Sequence, residues 1–314
     1  MAGNKDIIRK IFNISTCYHY PITKVISYEK TESGLVFRCS TRNGKNVKIE
    51  FQVCSPYILR FKMSPVDIGS KESLLEVRKD WSKPEFKVSE LEKGNKIKLE
   101  TKVLTTLITT HNWEYLVLSL NNEIILREDV RDVDSHGNYR SPPLGIVVKD
   151  GIPLQATETF ALHPKEGIYG FGEKFTRLNK VGQRMVCWNC NPFGVGTEES
   201  YKNIPFFVSS RGYGIFLNTT YPSIFEIGSR SLMTYTLWVG EPRLDLFIIY
   251  GPKLKDVLKR YAEITGFPSL PPLESFGIWY TPYFDDNPPW TATLDKKFSP
   301  FYPLPSNVRQ KNPQ

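Results

Sequence analysis

The chain has 314 residues, of which 40% are hydrophobic and 13% aromatic, enough for a substantial core and too apolar for a largely disordered chain. Its 41 basic and 33 acidic residues give a formal charge of +8, but no block of five like charges occurs, so a lysine-rich solvated surface is expected and not a nucleic-acid footprint. Five scattered cysteines argue against a disulfide scaffold, and no apolar run reaches the length of about 18 residues that a membrane helix needs.

The N-terminal stretch MAGNKDIIRKIF has charges threaded through it and lacks the apolar centre of a signal peptide, so a reduced, cytoplasmic location is expected. Period-two patterns then dominate. Val47, Ile49, Phe51 and Val53 alternate with polar residues, and after Ser55-Pro56 so do Tyr57, Leu59, Phe61 and Met63, with Arg60 and Lys62 on the opposite face. This predicts two strands joined at a corner, each with one buried face. Residues 96–110 read as one further strand, with Ile97, Leu99, Thr101 and Val103 on one face. Leu116, Leu118 and Leu120 lead into Asn121-Asn122, a tight hairpin signal because asparagine tolerates positive φ.

Cys187 and Cys190 form one C-x-x-C with no second pair and no adjacent histidine, so two ordinary thiols are expected and no metal site. Residues 206–218 read as a hairpin turning at Arg211-Gly212, followed by the alternation Met233, Tyr235, Leu237, Val239 and an apolar strand over residues 244–250. Many short strands with turn signals imply a mainly β fold, a sandwich or barrel over about residues 20–250. One helix is predicted: Pro252 fits its first turn, Leu254, Val257, Leu258 and Tyr261 form an apolar stripe, and Gly266 and Pro268 stop it. Residues 275–280 (SFGIWY) look like a strand buried on both faces, and the proline-rich remainder shows no periodicity and is expected to be poorly ordered.

Four ordered segments resemble glycoside hydrolase family 31, the α-glucosidase and α-xylosidase family. They are IYGFGEKFTRLN (168–179), WNCN (188–191) with TEESYKNIPFFVSSRGYGIFLN (197–218), the bridge helix over 250–272, and LESFGIWYTPYF (273–284). The spelling YKNIPF with RGYG is similar to the bacterial α-xylosidase branch. The resemblance implies a galactose-mutarotase-like β-sandwich over 1–250, a bridge helix and linker over 251–272, the first strand of a (β/α)8 barrel over 273–284, and a tail over 285–314. A whole barrel takes about 250 residues, more than follow Leu273, so the chain is expected to stop before the catalytic residues.

Retaining glycosidases set two carboxylates across the scissile bond. In the family both are aspartates on later barrel strands, and no residue here matches either motif, so no catalytic residue is assigned. Asp285-Asp286 is expected to be a solvated turn. The resemblance gives Phe284, Asn191 and Trp188 as substrate-lining positions: Phe284 either stacks on a sugar ring or stands exposed at the end of the matching segment, and Asn191 stands where related sequences often carry an aspartate. Trp188 either borders the sugar loop or is a structural tryptophan. Tyr201 and Lys202 are expected to shape that loop, and Glu173 to satisfy backbone donors in its turn. The expected partner is carbohydrate, α-linked xylose or glucose oligosaccharides, with a homo-oligomer or a second chain carrying the barrel as further options. No cofactor is expected, and a stand-alone carbohydrate-binding or oligomerisation sandwich without catalysis is the alternative function.

Overall fold

The computed structural model describes residues 4–13, 17–69, 73–81, 84–130, 140–192, 194–195 and 199–276. Two units cluster separately, Met1–Gly266 and Phe267–Gln314. In chain order the first begins with α1 (Asn4–Ile11), β1 (Tyr18–Lys30), β2 (Gly34–Thr41), β3 (Asn46–Ser55) and β4 (Ile58–Pro65). Next come β5 (Lys87–Leu91), β6 (Lys96–Glu100), β7 (Leu104–Thr109), β8 (Glu114–Ser119), β9 (Ile124–Arg127), β10 (Gly145–Lys149) and β11 (Ile152–Ala161). It ends with β12 (Ile168–Gly172), β13 (Gln183–Cys187), β14 (Asn203–Ser209), β15 (Tyr213–Leu217), β16 (Ser223–Ile227), β17 (Thr234–Val239), β18 (Leu244–Tyr250) and α2 (Leu254–Thr265).

The mainly β expectation holds. One sheet runs β12-β14-β15-β18-β4-β3-β2-β1, and β1 carries on into a second, β1-β10-β11-β17-β16-β13. The switch lies within β1, where Tyr18 to Pro21 pair with β10 and Ile22 to Lys30 with β2. A third, five-stranded sheet (β5 to β9) faces β2 to β4 through Phe37, Phe51 and Phe61 against Trp113 and Tyr115, at ring separations of 5.1–6.4 Å. All named ladders are antiparallel, and their inner faces form one core. The predicted hairpins at Asn121-Asn122 and Arg211-Gly212 are present, with Asn122 at φ 60° and Gly212 at φ 78°.

Several local expectations fail for non-local reasons. Residues 96–110 are two strands, not one: the Thr101 hydroxyl accepts from the amides of Val103 and Leu104 and donates to the Pro56 carbonyl, turning the chain back. In β8 the fully buried face belongs to Tyr115 and Val117, with Tyr115 packed on Phe51 of β3 and Phe61 of β4, while Leu120 stays exposed. In β4, Ile58 to Phe61 are buried consecutively, Arg60 included. Helix α2 starts after Pro252, at the N-cap Lys253. It turns Val257, Tyr261 and Ile264 onto Phe206, Phe216 and Phe247 on the outer side of β14, β15 and β18, leaving Leu254 and Leu258 exposed. Tyr261 stacks on Phe206 with centroids 3.9 Å apart. Helix α1, absent from the sequence reading, lays Ile8 and Phe12 against Val147, Val186, Ile224 and Trp238.

Residues 273–276 of the expected barrel strand form a single 3₁₀ turn. The rest of that strand, Phe284 and the tail lie outside the described residues.

Candidate functional site

The loop assembly between β12 and β14 begins at a bulge. Gly170 pairs with Phe207 and Gly172 with Asn203, so a single residue of β12, Phe171, lies opposite Ile204, Pro205 and Phe206, and two extra residues bulge β14. Phe171 is fully buried and has φ 72°, a left-handed backbone that a bulky side chain rarely adopts. Its ring is held 5.6 Å from that of Phe207 and 4.9 Å from that of Phe225. Gly172 follows at φ 79°, and a Cβ there would lie 2.2 Å from the Lys202 carbonyl oxygen. The glycine lets the two segments touch: the Glu173 amide donates to that same carbonyl at 2.9 Å. The Glu173 side chain pairs with Lys202 at 3.7 Å and accepts from no backbone donor among the described residues.

Asn203 ties the loop together. Its backbone amide donates to Asn189 Oδ1 at 2.7 Å. Its side-chain amide donates to the carbonyls of Trp188 (2.9 Å) and Ser200 (3.0 Å) and to Asn189 Oδ1 (3.1 Å). Its Oδ1 accepts from the Ser200 hydroxyl and from Lys174 Nζ, which also donates to the Val186 carbonyl at 2.6 Å. A short parallel bridge joins Asn189 and Ser200.

On this base the Tyr201 hydroxyl donates to Asn191 Oδ1 at 2.6 Å, with both residues exposed. The structure thus brings an aromatic ring and an amide side by side at the surface, a combination suited to a hydroxylated ring compound. Trp188 is half-buried among Val186, Ile224 and Trp238, and its indole N–H has no hydrogen-bond partner among the described residues. Phe284 lies outside the described residues, so it is not placed beside Asn191. The anchors Asn203 and Lys174 escaped the sequence reading. The asparagine next to the apolar strand IPFFVS, and the lysine after the Gly-x-Gly turn, were the available signals.

Two carboxyls stand close in the core. Glu128 bridges Phe160 on β11, beside Glu158. Both are sealed, at 1% and 0% exposure, so no glycoside reaches them. Burial pushes both well above the usual carboxylate range. The Tyr115 hydroxyl donates to Glu158 Oε2 at 3.4 Å, and the Thr159 amide to Oε1 at 2.9 Å. His19 meets the Thr157 hydroxyl at 2.9 Å, and burial lowers its pKa to about 4. Among the described residues there is no cluster of three metal-ligating side chains, and no helix is long and apolar enough to cross a membrane.

Comparison with known proteins gives the family. Residues 48–226, more than half of the chain, match the glycosyl hydrolase 31 N-terminal galactose mutarotase-like domain. The alpha-xylosidase XylQ of Lactiplantibacillus pentosus is 43% identical over 127 residues, 40% of this chain and 16% of that protein. An alpha-xylosidase of Emericella nidulans is 39% identical over 39% of this chain and 16% of its own length. The matched stretch is thus about a sixth of each of these relatives. Among solved structures, the cycloalternan-forming enzyme of Listeria monocytogenes, in complex with a pentasaccharide substrate, has a similar fold. It superposes with a TM-score of 0.72 at 22% identity, over 84% of this chain and 24% of that one. The chain therefore belongs to glycoside hydrolase family 31 and carries that family's N-terminal galactose-mutarotase-like domain.

Proposed function

We propose that this chain is the β-sandwich part of a retaining α-glycosidase of α-xylosidase type, acting on α-linked xylose of xyloglucan-type oligosaccharides. The observation that carries the reading is the 43% identity to an alpha-xylosidase. An alpha-glucosidase of Saccharolobus solfataricus is 32% identical over a similar share of the chain, which makes glucose the competing sugar. In this reading Asn191 and Tyr201 meet the sugar from the sandwich side, Trp188 supports their loop, and Phe284 contributes a stacking ring. The five free thiols favour a reducing, cytoplasmic setting. The chain by itself binds and does not cleave.

Calorimetry with xylose-containing and glucose-containing oligosaccharides tests this. Binding near the millimolar range, about −4 kcal/mol, is expected for the xylosides, weakened about tenfold in Asn191→Ala. No heat at millimolar sugar overturns the reading, and equal heats for both sugars remove the xylose preference. A second reading, a carbohydrate-binding sandwich with no catalytic role in any assembly, draws support from the loop itself. Asn191 and Tyr201 are exposed there, while Glu173 is tied to Lys202.

A further inference from the structure

We propose that the seam where β9 meets β11 is a proton-operated latch. Glu128 and Glu158 keep it closed while both carry their protons, and their ionisation on the alkaline side lets the end of the third sheet part from the second.

The seam is narrow. Among the described residues, backbone hydrogen bonds tie the third sheet to the rest of the fold at two places. At one, the Val25 amide donates to the Thr110 carbonyl at 3.0 Å and the Trp113 amide to the Thr23 carbonyl at 3.1 Å. At the other, Glu128 bridges Phe160 and the Asp129 amide donates to the Thr159 carbonyl at 2.9 Å. The two carboxyls stand at this second tie, one on each side: Glu128 directly follows β9, and Glu158 lies on β11. The Tyr115 hydroxyl of β8 reaches across to Glu158 Oε2 at 3.4 Å.

No counter-charge is at hand. Among the described residues neither carboxyl has an ion pair, and neither oxygen of Glu128 has a hydrogen-bond partner. The titratable groups set against the pair are Glu114 and Tyr115 on β8 and Cys39 on β2, with Tyr235 on β17 behind Tyr115. None of them supplies a positive charge. His19 of β1 is bonded to Thr157, which alternates to the other face of β11 from Glu158, and burial holds it neutral. A sealed carboxylate without a partner is costly, so burial keeps both groups in the acid form, and the charge of Glu158 adds to that for Glu128. The amides of Leu144 and Tyr115 at Glu128, and of Thr159 at Glu158, pull the other way and do not outweigh it.

Once the seam opens, both carboxyls meet water and titrate in the ordinary carboxylate range. The closed form therefore binds more protons than the open one. It is favoured fully below that ordinary range, and the advantage is lost as pH climbs towards the raised values.

Hydrogen exchange of the full chain, followed amide by amide from about pH 5 to about pH 8 and corrected for intrinsic rates, tests the latch. Each carboxyl that ionises on opening multiplies the opening constant by about ten per pH unit. The reporters are the Asp129 amide, which spans the seam, and the Thr159 amide, which donates to Glu158 Oε1. Their opening should gain up to about a hundredfold per pH unit over that of Ile215 and Ile248 in the ladder of β15 and β18. Glu128→Gln and Glu158→Gln each remove one proton from the count, lowering the excess to about tenfold per pH unit, and the double variant abolishes it. Equal pH dependence at the seam and in the reference ladder of the wild type overturns the proposal, whether or not the variants fold. So does an excess that folded glutamine variants retain in full.

Discussion

Arg60 illustrates what a single residue owes to partners far away in sequence. By alternation it belongs to the polar side of β4, yet it is 7% exposed, bonded to Asp245 and Glu76 and lying 4.7 Å over the Phe247 ring. No local pattern announces a strand whose outer face is covered by another segment. Arg60→Ala would leave two carboxylates unpaired in a poorly solvated place, and should cost about 3–5 kcal/mol in urea unfolding. Glu158 makes the opposite prediction. Burial raises its folded pKa above the unfolded value, so the acid favours folding fully below the unfolded pKa. That advantage is lost as pH rises towards the folded pKa, because deprotonation is then easier in the unfolded chain. Glu158→Gln keeps an acceptor for the Thr159 amide and removes the proton demand. Its melting temperature should exceed the wild type's by more at pH 8 than at pH 5. A gap that shrinks with pH would show that Glu158 is already ionised in the fold.

At the level of elements, period-two reading located most strands, because one face of each faces a continuous core. It failed where a side chain ended the pattern, as Thr101 does between β6 and β7, and where both faces are apolar, as in β8. Helix α2 was legible, but its orientation was set by Phe206 and Phe216, so the packed stripe is Val257, Tyr261 and Ile264. The loop anchors were harder to see: Asn203 and Lys174 matter through contacts made across segments distant in sequence, beside the bulge of β14 against β12. The glycine that faces that bulge from β12, Gly172, is the sensitive point. Gly172→Ala combines a left-handed backbone with a Cβ pressed on the Lys202 carbonyl, and should cost about 1–3 kcal/mol. Hydrogen exchange should show the loss concentrated at Glu173 and residues 199–203. Unchanged protection there would mean that the bulge does not hold the loop.

For the molecule as a whole, the ordered motifs from Gly167 onward were specific enough to give the family; strand patterns alone gave a mainly β fold, sandwich or barrel, and the resemblance chose the sandwich. The pairing order was not legible, since a single long strand, β1, passes from one sheet to the other. Nor was the position of Phe284 relative to Asn191, which depends on residues outside those described. What the described residues do contain is an exposed tyrosine–asparagine contact on a braced loop, while the two carboxyls that stand close in the core, Glu128 and Glu158, are sealed, and Glu173 pairs with Lys202. The most direct measurement is release of chromophore from an aryl α-xyloside by the purified chain, compared with buffer. The account predicts no release above buffer, and turnover that co-purifies with the chain would contradict it.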